Sequence, residues 1–382
     1  MSAAKKWIAI VAGVVLVMVA AVVAFLDPLV RYIVVQQVTA TSGRQLTIQG
    51  DFDVDLFPWP PRVRAEAVTF ANAEWGTEPM MLEVEVLEFE IEVMPLLRGQ
   101  IVAPEVILTS PRVVLERNRD GRRNWILSRE QTGRESGTRI GRLVVNGGSL
   151  IYRDPVANTE LFLGLATNQD STKPATATTF SVNGRLRGVP LSASGSGGEV
   201  LALRDTSQPF PIDARFQFGG VRGTIDGTVA GLTALDSFDL AVTMSGKNLA
   251  QLKPLIDVPF GVPGFKVSGR FAHDAQRWSV NRLDASIGES HLAGSLQIDL
   301  AGAKPSFGGS VTSKVLDIDT LERMFESNSK AASASKDGWI KRLGDFNGEL
   351  RFAIERVRNA PLPLDGATGT LQVKSGVATV DL

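Results

Sequence analysis

The chain has 382 residues, enough for one large or two to three ordinary domains. Lysine and arginine number 40 against 41 aspartates and glutamates, so the net charge is −1, which argues against a nucleic-acid partner because that partner asks for a basic stripe. There is no cysteine, and His273 and His291 are the two histidines, so disulfides, thiolate zinc sites, a cysteine nucleophile and a His-rich metal site are excluded.

From Trp7 to Leu26 no charged residue occurs, with Lys5 and Lys6 before the run and Asp27 and Pro28 after it. A helix of about 20 residues spans about 30 Å, the thickness of a bilayer core. The run is longer than the apolar region of a cleaved signal peptide, and Val23-Ala24-Phe25-Leu26 lacks an A-x-A site. The expectation is an uncleaved, single-pass anchor over residues 1–27. Its N-terminus lies on the cytoplasmic side, where positive charge stays.

Leu29, Ile33 and Val30, Val34, Val38 then recur at helical spacing, with Pro28 near the start and Gly43 past the end. This predicts a membrane-proximal helix over residues 28–43. After Gly43 the period changes to two. In Gly50 to Pro61, "GDFDVDLFPWPP", Asp51, Asp53 and Asp55 alternate with Phe52, Val54 and Leu56. The aspartates fail as a calcium loop: the sixth position is Leu56 and the twelfth Arg62, where glycine and glutamate are required. They read as the wet face of a strand that the following prolines end. Trp59 reads equally as a headgroup-level residue or a core anchor.

Leu82 to Val93, "LEVEVLEFEIEV", alternates on both sides of a slip at Val86-Leu87. A β-bulge there would place Glu83, Glu85, Glu88, Glu90 and Glu92 on one face. Further alternation marks strands through Phe216-Phe218, Phe238 to Met244, Phe265 to Phe271, Trp278-Val280, Leu292 to Leu300, Leu350 to Ile354 and Leu371-Val373. Asn146-Gly147-Gly148, Asp226-Gly227, Asn347-Gly348 and Asp365-Gly366 read as turns. Asn248 and Asp317 read as caps of short helices. Ser128 to Thr138 and Glu326 to Gly338 read as polar linkers.

No catalytic residue, cofactor site or metal site is expected. Ser194 to Gly198 is glycine-rich without a phosphate-binding lysine and reads as a flexible loop. The two S-x-x-K matches, Ser327 to Lys330 and Ser333 to Lys336, fall in low-complexity sequence. Ser290 and His291 are strand neighbours and point to opposite faces. His291 falls in phase with Ala293, Ser295 and Gln297 on the wet face, and His273 reads as a solvated hairpin residue. What remains is a long sheet of about twenty strands with one apolar face.

Several stretches carry a resemblance. Gly43-Arg44, Ile48 to Asp51, Leu56 to Pro60, Ala71-Asn72, Pro95 to Gly99, Pro111 and Asp120 to Trp125 together resemble the N-terminal pattern of the AsmA family of bacterial envelope proteins, with Ser42 where that family usually has Thr-Gly. Phe265 to Leu321 is similar to the family as well. The resemblance implies a mainly β protein: an N-terminal transmembrane helix and a short helix, then a long, curled antiparallel β-sheet forming an elongated groove, with a few short helices. The shape is that of chorein-type bridge lipid-transfer proteins. The implied divisions are an N-terminal β cap over 44–127, a repeated β-groove over 139–325 and a further groove segment over 339–382. The implied location is the bacterial inner membrane with the body in the periplasm.

The expected groove lining comprises Phe52, Val54 and Leu56; Leu240 and Val242; Leu292, Leu296 and Ile298; and Leu350, Phe352 and Ile354. The expected partner is phospholipid carried between inner and outer membrane, with no nucleic acid. Older readings of the family instead imply help in assembling outer-membrane proteins, without lipid carriage. Family members are often longer, and the sequence stops at Asp381-Leu382 as a strand is completing, which reads as a fragment or a short member.

Overall fold

The computed structural model describes residues 27–57, 59–96, 101–127, 138–168, 177–200, 209–230, 237–253, 264–274, 276–302, 304–319, 347–359, 365–374 and 377–381. The uncharged run Trp7 to Leu26 and both polar linkers, apart from Thr138, lie outside these residues. Among the described residues no helix is long and apolar enough to cross a membrane. The chain divides into two compact units, Met1–Thr167 and Asn168–Leu382.

Among the described residues of the first unit, 27–42 are helical (α1), as the helical spacing predicts. Gly43, at φ 67, ends it in the left-handed region that glycine adopts without strain. Then follow β1 (Leu46–Ile48), β2 (Phe52–Asp55), β3 (Arg62–Ala71) and β4 (Met80–Glu90). After the short α2 (Val93–Leu96) come β5 (Ile101–Thr109), β6 (Arg112–Glu116), β7 (Thr138–Asn146), β8 (Gly148–Asp154) and β9 (Thr159–Thr167). β1 and β2 lie in tandem along β3, which pairs antiparallel with β4. β5 and β6 lie in tandem along the other edge of β4.

β7 and β8 continue that arrangement, but parallel to β5 and β6. The purely antiparallel expectation therefore fails here. A parallel neighbour needs a crossover of a dozen or more residues, and residues 117–137 supply it, with the first polar linker inside. Asn146-Gly147 consequently turns a corner between successive ladder positions rather than closing a hairpin.

The slip in the glutamate-rich strand is real, but its cause differs from the expected one. Leu82 and Val84 precede it and Leu87 follows it, yet all three pack into one cluster with Ile48, Ala65 and Val68. β3 changes phase at the same level: Ala65 and Val68 share that cluster, and Ala67 between them stands at φ 48. Because both strands slip together, pairing runs in one register from Arg62↔Glu90 to Phe70↔Leu82, and the shift falls between Phe70 and Ala71. No extra residue sits at Val86-Leu87. The strand ends at Glu90, so Glu92 lies beyond it. Away from the cluster, Glu83 meets Arg112 at 2.9 Å, Glu88 meets Arg64 at 2.8 Å and Glu90 meets Arg62 at 2.9 Å.

A buried polar knot ties the far end of this unit. Asn124 is fully buried; its side chain accepts from the Glu116 amide at 2.9 Å and donates to the Val114 carbonyl at 2.8 Å and to Asn72 Oδ1 at 2.9 Å. Glu116, 3% exposed, accepts from Asn72 Nδ2 at 2.9 Å, from the Thr77 amide at 3.0 Å and from the Thr77 hydroxyl. A buried carboxylate is tolerated because its two oxygens take three hydrogen bonds. Beside it Glu78 takes hydrogen bonds from Arg112 and from Arg153, the latter at 2.8 Å. The Arg112 hydrogen bond, ahead of the opposing effect of burial, holds the Glu78 carboxyl below its ordinary range.

The second unit comprises β10 (Thr178–Leu186), β11 (Val189–Gly197), β12 (Phe210–Phe218), β13 (Val221–Ala230), β14 (Ser237–Gly246), β15 (Phe265–Asp274), β16 (Arg277–Ile287), β17 (Ser290–Asp299), β18 (Ser306–Asp317), β19 (Asn347–Ile354), β20 (Val357–Arg358), β21 (Ala367–Lys374) and β22 (Val377–Asp381). β10 to β18 form an antiparallel meander in sequence order. Two-residue turns join four of its neighbouring pairs, as at Arg187-Gly188, both at positive φ, and longer connections join the others. β19 and β20 then pair parallel to β18, again across a long connection that contains the second polar linker. β21 and β22 complete the order antiparallel.

Three sequence signals read differently in this unit. Ser194 to Gly197 is not a loop but the end of β11, and Asp226-Gly227 is not a turn but the middle of β13. The glycines answer to close approach: a Cβ on Gly195 or Gly227 would lie 2.1 Å from a carbonyl oxygen of the next strand. Asn347-Gly348 likewise opens β19. Asn248 does cap, accepting from the Ala250 amide, but over one 3-10 turn, Leu249–Leu252. The helix expected after Asp317 lies largely outside the described residues.

Two results test the knot. Asn124→Ala strands the buried Glu116 amide and Val114 carbonyl. It should lower unfolding free energy by roughly 2–4 kcal/mol in urea, at about 1–3 kcal/mol per orphaned group, and a loss under about 0.5 kcal/mol would show that the knot is not structural. For Glu78, a depressed folded pKa means that its contribution is present above the unfolded pKa, ordinarily 4.5, and is lost as pH falls through the lower folded value. The urea midpoint of the parent should therefore drop more steeply below that pH than the midpoint of Glu78→Gln; equal slopes would contradict it.

Candidate functional site

Strand alternation in the second unit puts apolar side chains on one face and polar ones on the other. On β10, Phe180, Val182 and Leu186 are half-buried while Ser181, Asn183 and Arg185 are exposed. On β12, Phe210, Ala214 and Phe218 are buried, whereas Asp213, Arg215 and Gln217 are exposed. The pairing carries this division from strand to strand without a change of face.

One row runs Gly227↔Leu240, Leu240↔Phe271, Phe271↔Val280, Val280↔Leu296, Leu296↔Gly309, Gly309↔Leu350 and Leu350↔Leu371. Beside it run Ile225↔Val242 and Val311↔Phe352. The next row over holds Ala285↔Leu292, Leu292↔Ser313 and Ser313↔Ile354. On the other side are Phe238↔His273, His273↔Trp278, Trp278↔Ile298 and Ile298↔Phe307. The structure thus brings Leu240, Val242, Leu292, Leu296, Ile298, Leu350, Phe352 and Ile354 onto one surface. At about 4.8 Å between neighbouring strands, the row through Leu296 extends roughly 34 Å.

The remaining expected lining positions belong to the first unit. Phe52 and Val54 are half-buried on β2 opposite Ala65 and Val63, with Asp53 and Asp55 exposed between. Phe52 packs against the cluster of Ile48, Ala65, Val68 and Val84. Leu56 lies beyond the strand and is 39% exposed.

Sequence reasoning left out Phe216, Phe271, Trp278 and Phe307, although their alternation was visible. It also misplaced His273. β15 runs on to Asp274, so His273 stays in phase with Val267 and Phe271 and lies on the apolar face. Its ring stacks on Trp278 with centroids 4.0 Å apart, and Phe238 packs against both at 5.8 Å. His291 is on the opposite face, 3.6 Å from Asp284.

The texture of the surface comes from cross-strand pairs of phenylalanine and glycine. Phe216 pairs with Gly223, Phe265 with Gly246, Phe307 with Gly348 and Phe352 with Gly369. A Cβ on any of these glycines would come within 2.8 Å of the ring. Each ring therefore lies down over the neighbouring backbone instead of standing away from the sheet. Gly294, at φ 151, brings Ser310 O to 2.0 Å from where its Cβ would stand. Together with register shifts near Gly269, Asn281 and His291, such sites bend the sheet.

The face is covered in places: Phe210, Val229, Ala285 and Val373 are buried on it, and so is one end. There Leu252 of the 3-10 turn packs with Phe218, Val221 and Phe265. Val221 is fully buried, whereas the expected lining positions are not among the buried residues, and Ile298 remains 39% exposed. Such an apolar surface costs about 25 cal/mol per Å² to leave in water, and a patch of more than a few hundred Å² marks an interaction surface. The polar face carries ion pairs instead: Arg270 with Asp239 at 2.7 Å and Arg277 with Asp299 at 3.3 Å. The Ala301 amide, and then Arg277, holds the Asp299 carboxyl below its usual range despite some desolvation.

The fold and this face define a mainly β protein whose candidate site is an extended apolar surface backed by a charged one. Residues 1–161 match the model of the AsmA family. The chain is 26% identical over 344 residues to AsmA family protein YhjG of Escherichia coli (strain K12), an alignment that covers 79% of this chain and 50% of that protein. The resemblance carried by the N-terminal motifs and by the later strands is thus borne out. The chain spans about half the length of this curated relative.

An open face and a closed core respond differently to charge. Leu296→Met should be nearly silent, within about 1 kcal/mol. Leu296→Asp should still fold, with cellular abundance close to the parent, because the carboxylate can reach water. Val221→Asp, beneath the 3-10 turn, should collapse abundance. If Leu296→Asp is degraded as fully as Val221→Asp, the face is a closed core.

Proposed function

We propose that the chain is an inner-membrane-anchored periplasmic protein whose apolar sheet face carries phospholipid between the inner and outer membranes and so supports outer-membrane biogenesis. It performs no chemical transformation. The observation that carries this reading is the unbroken apolar row through Leu240, Leu296 and Leu350, half-exposed and backed by a charged face. The AsmA resemblance supports it, as does the uncharged run Trp7 to Leu26, which reads as the anchor.

The physics of such a surface suits acyl chains. Each methylene transferred from water gains about 0.8 kcal/mol, wherever along the row it lies. The rows named above carry no carboxylate, lysine or arginine, so one position is nearly equivalent to the next. The reclining phenylalanine rings leave few steps to cross. Headgroups stay in water along the rim, so the surface selects the tail and not the headgroup.

The test is the lipid content of the full chain purified in a mild detergent. Phospholipid recovered with the parent, and lost from Leu240→Asp/Leu296→Asp of equal stability, is the expected result. A stable parent without phospholipid above a detergent blank would overturn the reading and favour a scaffold for outer-membrane proteins.

A further inference from the structure

The first unit presents a second apolar surface, which lipid carriage does not use. Phe57 is 86% exposed, Trp59 65% and Leu56 39%, and all three follow directly on β2. Met94, 66% exposed on α2, lies at the same end of the sheet: Arg62 pairs with Glu90 there, and the Ile91 amide donates to Pro61 O at 3.0 Å. These side chains stand at the end of β2, the start of β3 and the exit of β4.

The first described residues of helix α1 lie at that same end. Asp27 Oδ1 accepts the Val54 amide at 3.1 Å, and Arg31, one turn on, reaches the Ile48 carbonyl. From Asp27, beside Val54, the helix therefore runs back along β2 and β1. Its outer face near that start is also apolar, with Leu29, Tyr32 and Ile33 each more than half exposed. Asp27 is the first residue after the uncharged run. Where that run leaves a bilayer, Val54 is held at the exit by one hydrogen bond. Phe57, three residues on, then lies within about 10 Å of it, comparable with the depth of one interfacial layer.

We propose that this end of the first unit is seated in the bilayer interface: Phe57, Trp59 and Met94 enter the headgroup layer of the membrane that holds the N-terminal run. The proposal rests on the anchor reading. Trp59, with an apolar body and a polar handle, belongs at that depth, and Phe57 and Met94 add apolar area that water would otherwise face. Exposed carboxylates at Asp53, Asp55 and Glu92 bound the insertion to the loop tips, since a charge is expensive in hydrocarbon. The seat fixes the strands of β2 to β4 end-on to the membrane.

Because the chain has no cysteine, a single environment-sensitive fluorophore can be placed at will. The full chain is reconstituted in phosphatidylethanolamine/phosphatidylglycerol vesicles with Phe57→Cys or Met94→Cys labelled. Glu74→Cys, exposed in the connection at the opposite end of β3 and β4, is the control. The expected result is blue-shifted emission and at least twofold stronger quenching by nitroxide-labelled lipid at both test positions than at the control. A chain that floats with the vesicles but shows water-like emission at positions 57 and 94 overturns the seat and leaves the anchor intact. A chain that does not float overturns both.

Discussion

The second unit depends on one constraint: its strand registers must stay in phase. A slip of one residue would move a strand's apolar set to the wet side. From β10 to β22 the pairing never makes that exchange. Where registers do shift, near Gly269, Asn281 and His291, the face is recovered within a few residues, as Leu283↔Gly294 and Leu292↔Ser313 show. Ordinary sheets satisfy an apolar face by packing it on a second layer. Among the described residues such burial is local: under Leu252 at one end, and at Phe210, Val229, Ala285 and Val373. The rest of the face is left for something that the chain does not provide among its described residues.

Glycine and phenylalanine make this arrangement workable. Glycines let adjoining backbones approach more closely than a Cβ allows, and the facing rings recline over them. The surface keeps its apolar area without deep, separate pockets. A binding pocket for one small molecule usually gathers a few convergent polar groups. The rows through Leu240 and Leu296 offer repetition instead, which suits a ligand defined by length and apolarity. In the first unit the polar groups that do converge, Asn72, Glu116 and Asn124, are consumed by one another and by backbone. They give Asn72 and Asn124, two of the residues that carry the resemblance, a structural role.

Much of the second unit was legible because period-two patterning is a local signal. Phe238 to Met244 and Leu292 to Leu300 announce both strand and face. What was misread concerns partners distant in sequence. Ser194 to Gly197 and Asp226-Gly227 look like loop and turn in isolation, and only the neighbouring carbonyls at Asp213 and Asp239 explain them. His273 was read as a hairpin residue because the length of β15 was underestimated. The slip in β4 was visible, but its cause lies in β3 at Ala67. The parallel placements of β7 and β19 were implicit in the two long polar connections, whose length rather than composition was the informative property.

The central claim is that acyl chains lie on one face of the sheet and not on the other, and strand alternation makes it directly measurable. A photo-crosslinking amino acid placed in turn at positions 240, 241, 242 and 243 of β14, in cells, reads each face separately. The account predicts phospholipid adducts at Leu240 and Val242 and none above background at Ala241 and Thr243. Adducts at both parities, or at neither while the protein remains folded and abundant, would contradict it.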